Sequence, residues 1–578
     1  MTGLVEQLDV QLSQLLSAWN IYTTLIALTL FSFIAYCILL PDEPDTHPML
    51  LLRQSAASLV RQPGESAVYR SHEVPHGYPL KTGLNVRPPG APMYSAGKDG
   101  DLRDVWRRVS GEIPLELPGG GGKSEKGKIV TVFGREKVDD VDLRQMGREI
   151  GAIGEGIRKA GVKRVAVYLP NSVELLSALF AGAYFGLDII LLPYNQPHDA
   201  VCEQLKSTNA ECLIAEAGAL PLENITKACA SLKQAIWVVE ETSRHMDWTE
   251  VPEDVGGKID VAVWHELVKD ASNGNSSELP ARGTPGDVIT LSWQENTKSF
   301  EIVTFTQANL ISAIGALITA LPPAQRFTPS DLFLPADALT NSYTLCLTLA
   351  ALFCHATLAL NSVAGPVVDI TDAAKSIAPT IIVASATAGA TLQSNHAKGA
   401  TGVMTKMAHF SATKALQAGR MPVDNALTRI NAPSKAALGT TPGKLRVLFL
   451  SEKTGGAEKP LSENALSDLR VLTGARVVYA LTTPKVAGAV AQTNIYDYRT
   501  GLGKDGDRYG HFGAVLSSVE VKLVDKGNRK TTDENYEGEI VVSGPAVSGG
   551  EARLGIAGTF RDDNTLAYSC DSSGKPDL

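Results

Sequence analysis

The clearest pattern of apolar and polar residues lies in the first third of the chain. Arg164–Leu169 is a short apolar run of the kind that forms a strand buried on both faces. Pro170 and Asn171 interrupt it, and apolar residues then recur at helical spacing as far as Gly186. A second apolar run, Ile189–Leu192, follows. This order predicts a strand–helix–strand unit and therefore a parallel sheet with right-handed crossovers.

Strand-like and helical patterns alternate on both sides of this unit. A helix is predicted after the capping residue Asp142, and a second, apolar helix is predicted at Tyr343–Phe353. The further predicted strands are Ile129–Phe133, Ala210–Ala215, Ile236–Val239, Asp287–Ser292, Ala356–Leu360, Leu445–Leu450, Val519–Asp525 and Gly538–Pro545. The chain therefore reads as an α/β protein.

The N-terminal forty residues have a different pattern. Ile21–Leu40 contains no charged residue and is long enough to cross a bilayer as a helix. A cleaved signal peptide is the competing interpretation, but no basic residue precedes the segment and Pro41 is a poor cleavage site. Basic residues occur only after it, which predicts that the bulk of the chain is cytosolic. Residues 1–20 form a short head with leucines on one helical face.

Residues 41–127 show little periodicity and are rich in Pro, Gly and charge. We expect a linker and irregular segment here, apart from a short helix at Asp101–Val109. The run Gly119–Gly122 lacks the spacing of a phosphate-binding motif, so it predicts a surface loop.

Composition narrows the function classes. The chain has 578 residues, a net charge of −9 and 44% hydrophobic residues, which is typical of a globular protein and argues against a nucleic-acid partner. The seven cysteines are scattered and form no CxxC pair, so the sequence predicts neither a disulfide framework nor a zinc site.

The amino-acid sequence of the first strand–helix–strand unit contains a specific motif. Val165–Glu174 reads VAVYLPNSVE and resembles a motif of the adenylate-forming superfamily, especially acyl-CoA synthetases. An unrelated doubly wound domain is the alternative. The resemblance covers residues 128–578 and implies the large AMP-binding domain of such an enzyme: two doubly wound α/β subdomains and a smaller β-rich subdomain near residues 490–560. The mobile C-terminal lid domain of the family would follow residue 578, so we expect it to be absent.

The resemblance also implies where a nucleotide would bind. In the family, a glycine-rich loop cradles the ATP phosphates after the strand that corresponds to Asp287–Ser292. Here the segment reads WQENTKSFEIVTF, without glycine, with Trp293 and Phe300 at bulky positions and two acidic residues, Glu295 and Glu301. Lys298 is the substitute candidate for a phosphate contact. We therefore expect the phosphate loop to have been lost.

Other family positions are retained only in part. The resemblance places Gly455 and Gly456 in a conserved turn of the family, Tyr479 and Thr482 in its nucleotide-binding strand, and Asp571 at the ribose. Thr483 replaces the carboxylate that helps to hold Mg²⁺, and hard cations prefer carboxylate oxygen. The family's histidine near the acyl pocket is missing from the segment 339–342. These positions predict a vestigial ATP/AMP and Mg²⁺ crevice with no catalytic residue, no resident cofactor and no metal.

A basic stretch interrupts the later part of the domain. Ala397–Arg446 carries eight Lys or Arg residues and one acidic residue, with Met and Phe interleaved. An anionic membrane surface and a merely solvated helical insertion are both open interpretations.

These features together predict a membrane-anchored pseudoenzyme of the acyl-CoA synthetase type. It would be a scaffold or regulatory subunit in a lipid-metabolism complex, with the bilayer and a protein as partners and an acyl ligand as a third. The alternative is an active ATP-dependent fatty acid–CoA ligase with divergent motifs or with a partner that supplies the missing domain. The expected location is the endoplasmic reticulum membrane, and the mitochondrial outer membrane or lipid droplet is the alternative.

Overall fold

The computed structural model of the chain divides into two units, residues 1–47 and residues 48–578. It describes residues 17, 19–39, 43–85, 99–113, 128–133, 137–239, 259–273, 279–280, 283–294, 298–365, 367–397, 402–422, 436, 438–441, 443–456, 459–500, 508–533 and 536–569.

The first unit contains the predicted apolar helix, α1 (Ile21–Leu39). Its apolar side chains as far as Phe31 are largely exposed to solvent. Among the described residues, however, no helix combines the length and hydropathy needed to cross a membrane. The structure therefore does not support the predicted transmembrane segment 21–40. The head, residues 1–20, lies almost entirely outside the described residues.

A first sheet of seven strands contains the predicted strand–helix–strand unit. Its order is β11-β10-β6-β5-β7-β8-β9, and only β11 is antiparallel to its neighbour. Ser172 caps the connecting helix by accepting a hydrogen bond from the Leu175 amide, and Gly186 ends it in the left-handed conformation. The strands are β5 (Arg164–Tyr168), β6 (Asp188–Leu191), β7 (Cys212–Glu216), β8 (Gln234–Val238), β9 (Asp260–Val263), β10 (Val288–Gln294) and β11 (Ser299–Phe305).

The described residues of this part of the chain form five helices. They are α3 (Leu143–Lys159), α4 (Val173–Phe185), α5 (His198–Thr208), α6 (Leu222–Ala228) and α7 (Trp264–Asn273). The short predicted helix at residues 101–109 is also present as α2 (Leu102–Val109), and its Trp106 packs against Phe180 of α4 with ring centroids 5.2 Å apart.

In a second sheet, the described residues form nine strands in the order β18-β17-β16-β15-β14-β12-β13-β3-β4. The strands from β16 to β3 are parallel. The strands are β3 (Ile129–Phe133), β4 (Lys137–Asp140), β12 (Leu332–Pro335), β13 (Thr357–Asn361), β14 (Ile381–Ser385), β15 (Val447–Lys453), β16 (Arg476–Thr482), β17 (Ala491–Gln492) and β18 (Ala514–Val515). Their helices are α8 (Gln307–Ala320), α9 (Ser342–Phe353), α10 (Ile370–Ala374), α11 (Ala386–Ala397), α12 (Val403–Gln417) and α13 (Glu463–Thr473).

The third sheet corrects the expectation of a linker between residues 41 and 127. Two strands from this segment, β1 (Ser55–Ala57) and β2 (Tyr69–Ser71), form its first edge. The remaining strands come from the far end of the chain: β19 (Glu520–Val524), β20 (Gly538–Ser543), β21 (Glu551–Phe560) and β22 (Leu566–Tyr568). Residues 48–85 are thus part of the globular unit, because Tyr69 pairs with Val521 and stacks on Phe560.

Candidate functional site

A continuous β-hairpin stands where the resemblance implies the phosphate loop. Strands β10 and β11 pair without a break from Val288↔Phe305 to Gln294↔Ser299. Residues 295–298 connect the two strands in the sequence, and of these the structure describes Lys298, which is exposed with a φ of 48°. Glu295 lies outside the described residues. The paired backbone of β10 and β11 therefore occupies the segment in which the resemblance implies a glycine-rich loop.

The two faces of this hairpin differ. Trp293 and Phe300 are directly opposite each other and make an edge-to-face contact, with centroids 4.9 Å apart. Because successive side chains of a strand point to opposite faces, Gln294 and Glu301 lie on the other face, where the amide of Gln294 donates to Glu301 at 2.9 Å. The bulky residues therefore face away from the side on which Glu301 lies.

The face that carries Glu301 is the one that meets the second sheet. Glu301 forms an ion pair with Lys485 at 3.1 Å. The Lys453 ammonium donates to the Trp293 carbonyl oxygen at 3.3 Å. A side chain added at Gly455 would meet the Gln294 amide oxygen at 3.4 Å. The hairpin thus lies over the turn that follows β15, and the Glu301 carboxylate neutralises the ammonium group of Lys485.

The turn after β15 contains the two predicted glycines. Gly455 has a φ of 72°, which favours glycine, and Gly456 follows it in the same turn. The structure places this turn beside β16, since Lys453 is opposite Thr482 in the parallel register. Four of the predicted site residues, Gly455, Gly456, Tyr479 and Thr482, therefore lie on neighbouring elements.

The polar groups of β16 are engaged inside the protein. Tyr479 is completely buried; its hydroxyl donates to the Glu452 carboxylate at 2.6 Å and accepts from the Leu461 amide at 3.1 Å. Burial, and then the Glu452 charge, raise the pKa of Tyr479 well above its usual value. The Thr482 hydroxyl donates to the Glu452 carbonyl oxygen at 2.9 Å. The hydroxyls of both predicted nucleotide-binding residues are thus hydrogen-bonded to Glu452. The sequence does not predict this role of Glu452.

A buried polar position adjoins this group on the third sheet. The ring of Phe512 lies between those of Tyr479 and Tyr568, at 5.0 Å and 4.8 Å. The hydroxyls of Tyr568 and Ser569 are buried and have no hydrogen-bond partner among the described residues. Asp571, the predicted ribose contact, lies outside the described residues.

The segment that lacks the family's histidine is held by amides. Asn171, which follows the VAVYLP motif, donates to the Asp337 carbonyl oxygen at 2.9 Å and accepts from the Leu339 amide at 2.9 Å. Burial raises the pKa of Asp337, whose carboxylate accepts from Asn341 at 2.9 Å. Asn171 and Asn341 thus join the first sheet to the start of α9. Within the described parts of the chain, no three His, Cys, Asp or Glu side chains come together as a metal site requires.

The fold is that of known ligases. Over 82% of this chain and 78% of the other, it matches the anthranilate CoA ligase AuaEII, solved with anthranoyl-AMP, with a TM-score of 0.56 and 13% identity. A benzoate CoA ligase from Burkholderia xenovorans LB400 matches over 82% of this chain and 80% of its own, with a TM-score of 0.54 and 15% identity. The chain has the adenylate-forming fold.

Sequence comparisons agree with this fold over part of the chain. Residues 123–291 match the family of AMP-binding enzymes. The uncharacterized protein YHR045W of Saccharomyces cerevisiae is 24% identical over 538 residues, covering 88% of this chain and 86% of its own length. A fold alone does not decide activity, which depends on the residues of the site. The hairpin and β16 are therefore the elements that bear on function.

Proposed function

We propose that this chain is a non-catalytic relative of the adenylate-forming ligases. It acts as a scaffold or regulatory subunit in a membrane complex of lipid metabolism. The observation that carries the proposal is the uninterrupted pairing of β10 with β11, from Val288↔Phe305 to Gln294↔Ser299. ATP-dependent acyl activation stabilises charge on the transferring phosphate with backbone amides, a cation and Mg²⁺. Backbone amides that pair between two strands do not surround a phosphate, and the sequence from Asp287 to Thr306 contains no glycine.

The neighbouring elements support the same proposal. The Glu301 carboxylate neutralises Lys485 on the face that a phosphate would approach. Thr483 offers a hydroxyl in place of the carboxylate that Mg²⁺ prefers. The hydroxyls of Tyr479 and Thr482 donate hydrogen bonds to Glu452. Each of these features opposes nucleotide binding.

The membrane part of the proposal rests on α1. Exposed apolar side chains along its described part, such as Leu25, Ile26 and Phe31, are 60–73% accessible to solvent, which is costly in water. We propose that α1 anchors the chain in the endoplasmic reticulum membrane with residues 48–578 on the cytosolic side. Protease added to sealed microsomes should then digest the large unit, whereas a protected large unit would reverse the proposed orientation.

An active CoA ligase is the second candidate, because the solved neighbours are CoA ligases and Thr482 is retained. The test is pyrophosphate release by the purified full chain with ATP, Mg²⁺, coenzyme A and acids from short to very long. We expect no acid-dependent release above that of a Thr482→Val variant, with a working CoA ligase as the positive control. Acid-dependent turnover that Thr482→Val abolishes would establish the enzyme instead, with Lys298 as the first phosphate ligand to examine.

A further inference from the structure

Helix α12 has an outward face that its packing does not explain. Its inner face is buried, where Ala412 and Leu416 pack with Val471 of α13 and with Tyr498. On the outer face, Met407 and Phe410 are one helical turn apart and remain 61% and 63% exposed. Together Phe410 and Met407 form a small exposed apolar surface.

The charge on this face identifies the chemistry of the partner. Lys406 and Lys414 are exposed on either side of the apolar pair, and the Lys414 ammonium lies 5.5 Å from the centre of the Phe410 ring. The sequence of α12 contains no acidic residue. Asp468 of α13 lies against this helix, but it pairs with His409 at 3.2 Å and accepts a hydrogen bond from Gln393. The outer face is therefore apolar at its centre and positive at its edges.

We propose that this face of α12 docks the globular unit on an anionic lipid surface. Phe410 and Met407 would enter the region between head groups and acyl chains, while the long lysine side chains keep their ammonium groups among anionic head groups. A membrane complements this arrangement because it offers negative charge and an apolar layer over the same few ångströms. The proposal holds whether or not the chain is an enzyme, and it does not require α1 to span the bilayer.

The test places a photo-reactive benzoylphenylalanine at residue 410 of the full chain. The matched control places the same group at Tyr78, an aromatic residue outside the helices and strands that is 67% accessible. Each protein is bound to vesicles of phosphatidylcholine alone or mixed with phosphatidylserine, and yields are compared at equal amounts of bound protein. We expect lipid adducts at residue 410, increased by phosphatidylserine, and few at residue 78.

Charge variants separate docking from simple proximity. At equal total protein, Lys406→Gln and Lys414→Gln should each lower the adduct yield at residue 410 in mixed vesicles by up to about fivefold, the loss of affinity expected for one lysine near an anionic surface. Lys159→Gln, which removes an exposed lysine of α3, should leave the yield unchanged. Equal yields at residues 410 and 78, or yields that ignore phosphatidylserine, would overturn the proposal. Adducts to protein instead of lipid would replace it with a protein-binding face.

Discussion

At the scale of the residue, Arg446 shows how a charge is held inside the second sheet. Its guanidinium makes two parallel contacts to Asp331, at 2.7 Å and 2.8 Å, and the Thr380 hydroxyl donates to the same carboxylate. Burial acts to raise the pKa of Asp331, but Arg446 and these hydrogen bonds outweigh it and the pKa lies below its usual value. The carboxylate is therefore charged, buried and dependent on Arg446.

We predict that Arg446→Met lowers the free energy of unfolding by about 3–5 kcal/mol, because it leaves an uncompensated buried carboxylate. Arg158→Met is the matched control, since its ion pair with Glu155 is exposed and should be worth about 1 kcal/mol or less. Denaturant unfolding of the two variants compares them directly. Equal losses would mean that Asp331 gains water or a proton when Arg446 is removed.

At the scale of the element, side chains that pair across the strands stabilise the β10–β11 hairpin. Trp293 and Phe300 meet edge to face, and such pairs are worth about 0.5–1.5 kcal/mol beyond their buried area. A double-mutant cycle with Trp293→Ala and Phe300→Ala should therefore give a coupling free energy of about 0.5–1.5 kcal/mol in thermal or denaturant unfolding. Additive losses would show that the two rings do not stabilise each other.

The same hairpin shows what a sequence can and cannot predict. The absence of glycine and the β10 strand can be predicted from the sequence, because both depend on local composition. The direction of the Trp293 side chain cannot be predicted in this way, because it depends on the cross-strand register. In the structure this side chain lies on the face opposite Glu301. Tyr479 was predicted to contact a nucleotide, but its burial against Glu452 depends on the packing of β15 beside β16. The strands β1 and β2 are too short to show a periodic pattern.

At the scale of the whole molecule, the ends of the globular unit hold each other. Tyr69 is buried, stacks on Phe560 with ring centroids 3.5 Å apart, and its hydroxyl hydrogen-bonds with that of Tyr536 at 2.9 Å. We predict that Tyr69→Ala costs about 3–5 kcal/mol in unfolding free energy, as for other large aromatic residues removed from a core. Tyr78→Ala, at an exposed site, should cost little in the same measurement. A small loss at Tyr69 would mean that residues 48–85 are a dispensable appendage.

The pairing of Tyr69 with Val521 also sets an order of events during synthesis. A ribosome adds roughly 5–20 residues per second, so β2 leaves the exit tunnel on the order of half a minute or more before β19 exists. During that interval β2, which contains Tyr69, lacks its partner strand β19. A nascent chain stalled before residue 520 should therefore be cleaved by added protease at residues 55–71, whereas the completed chain should resist cleavage there.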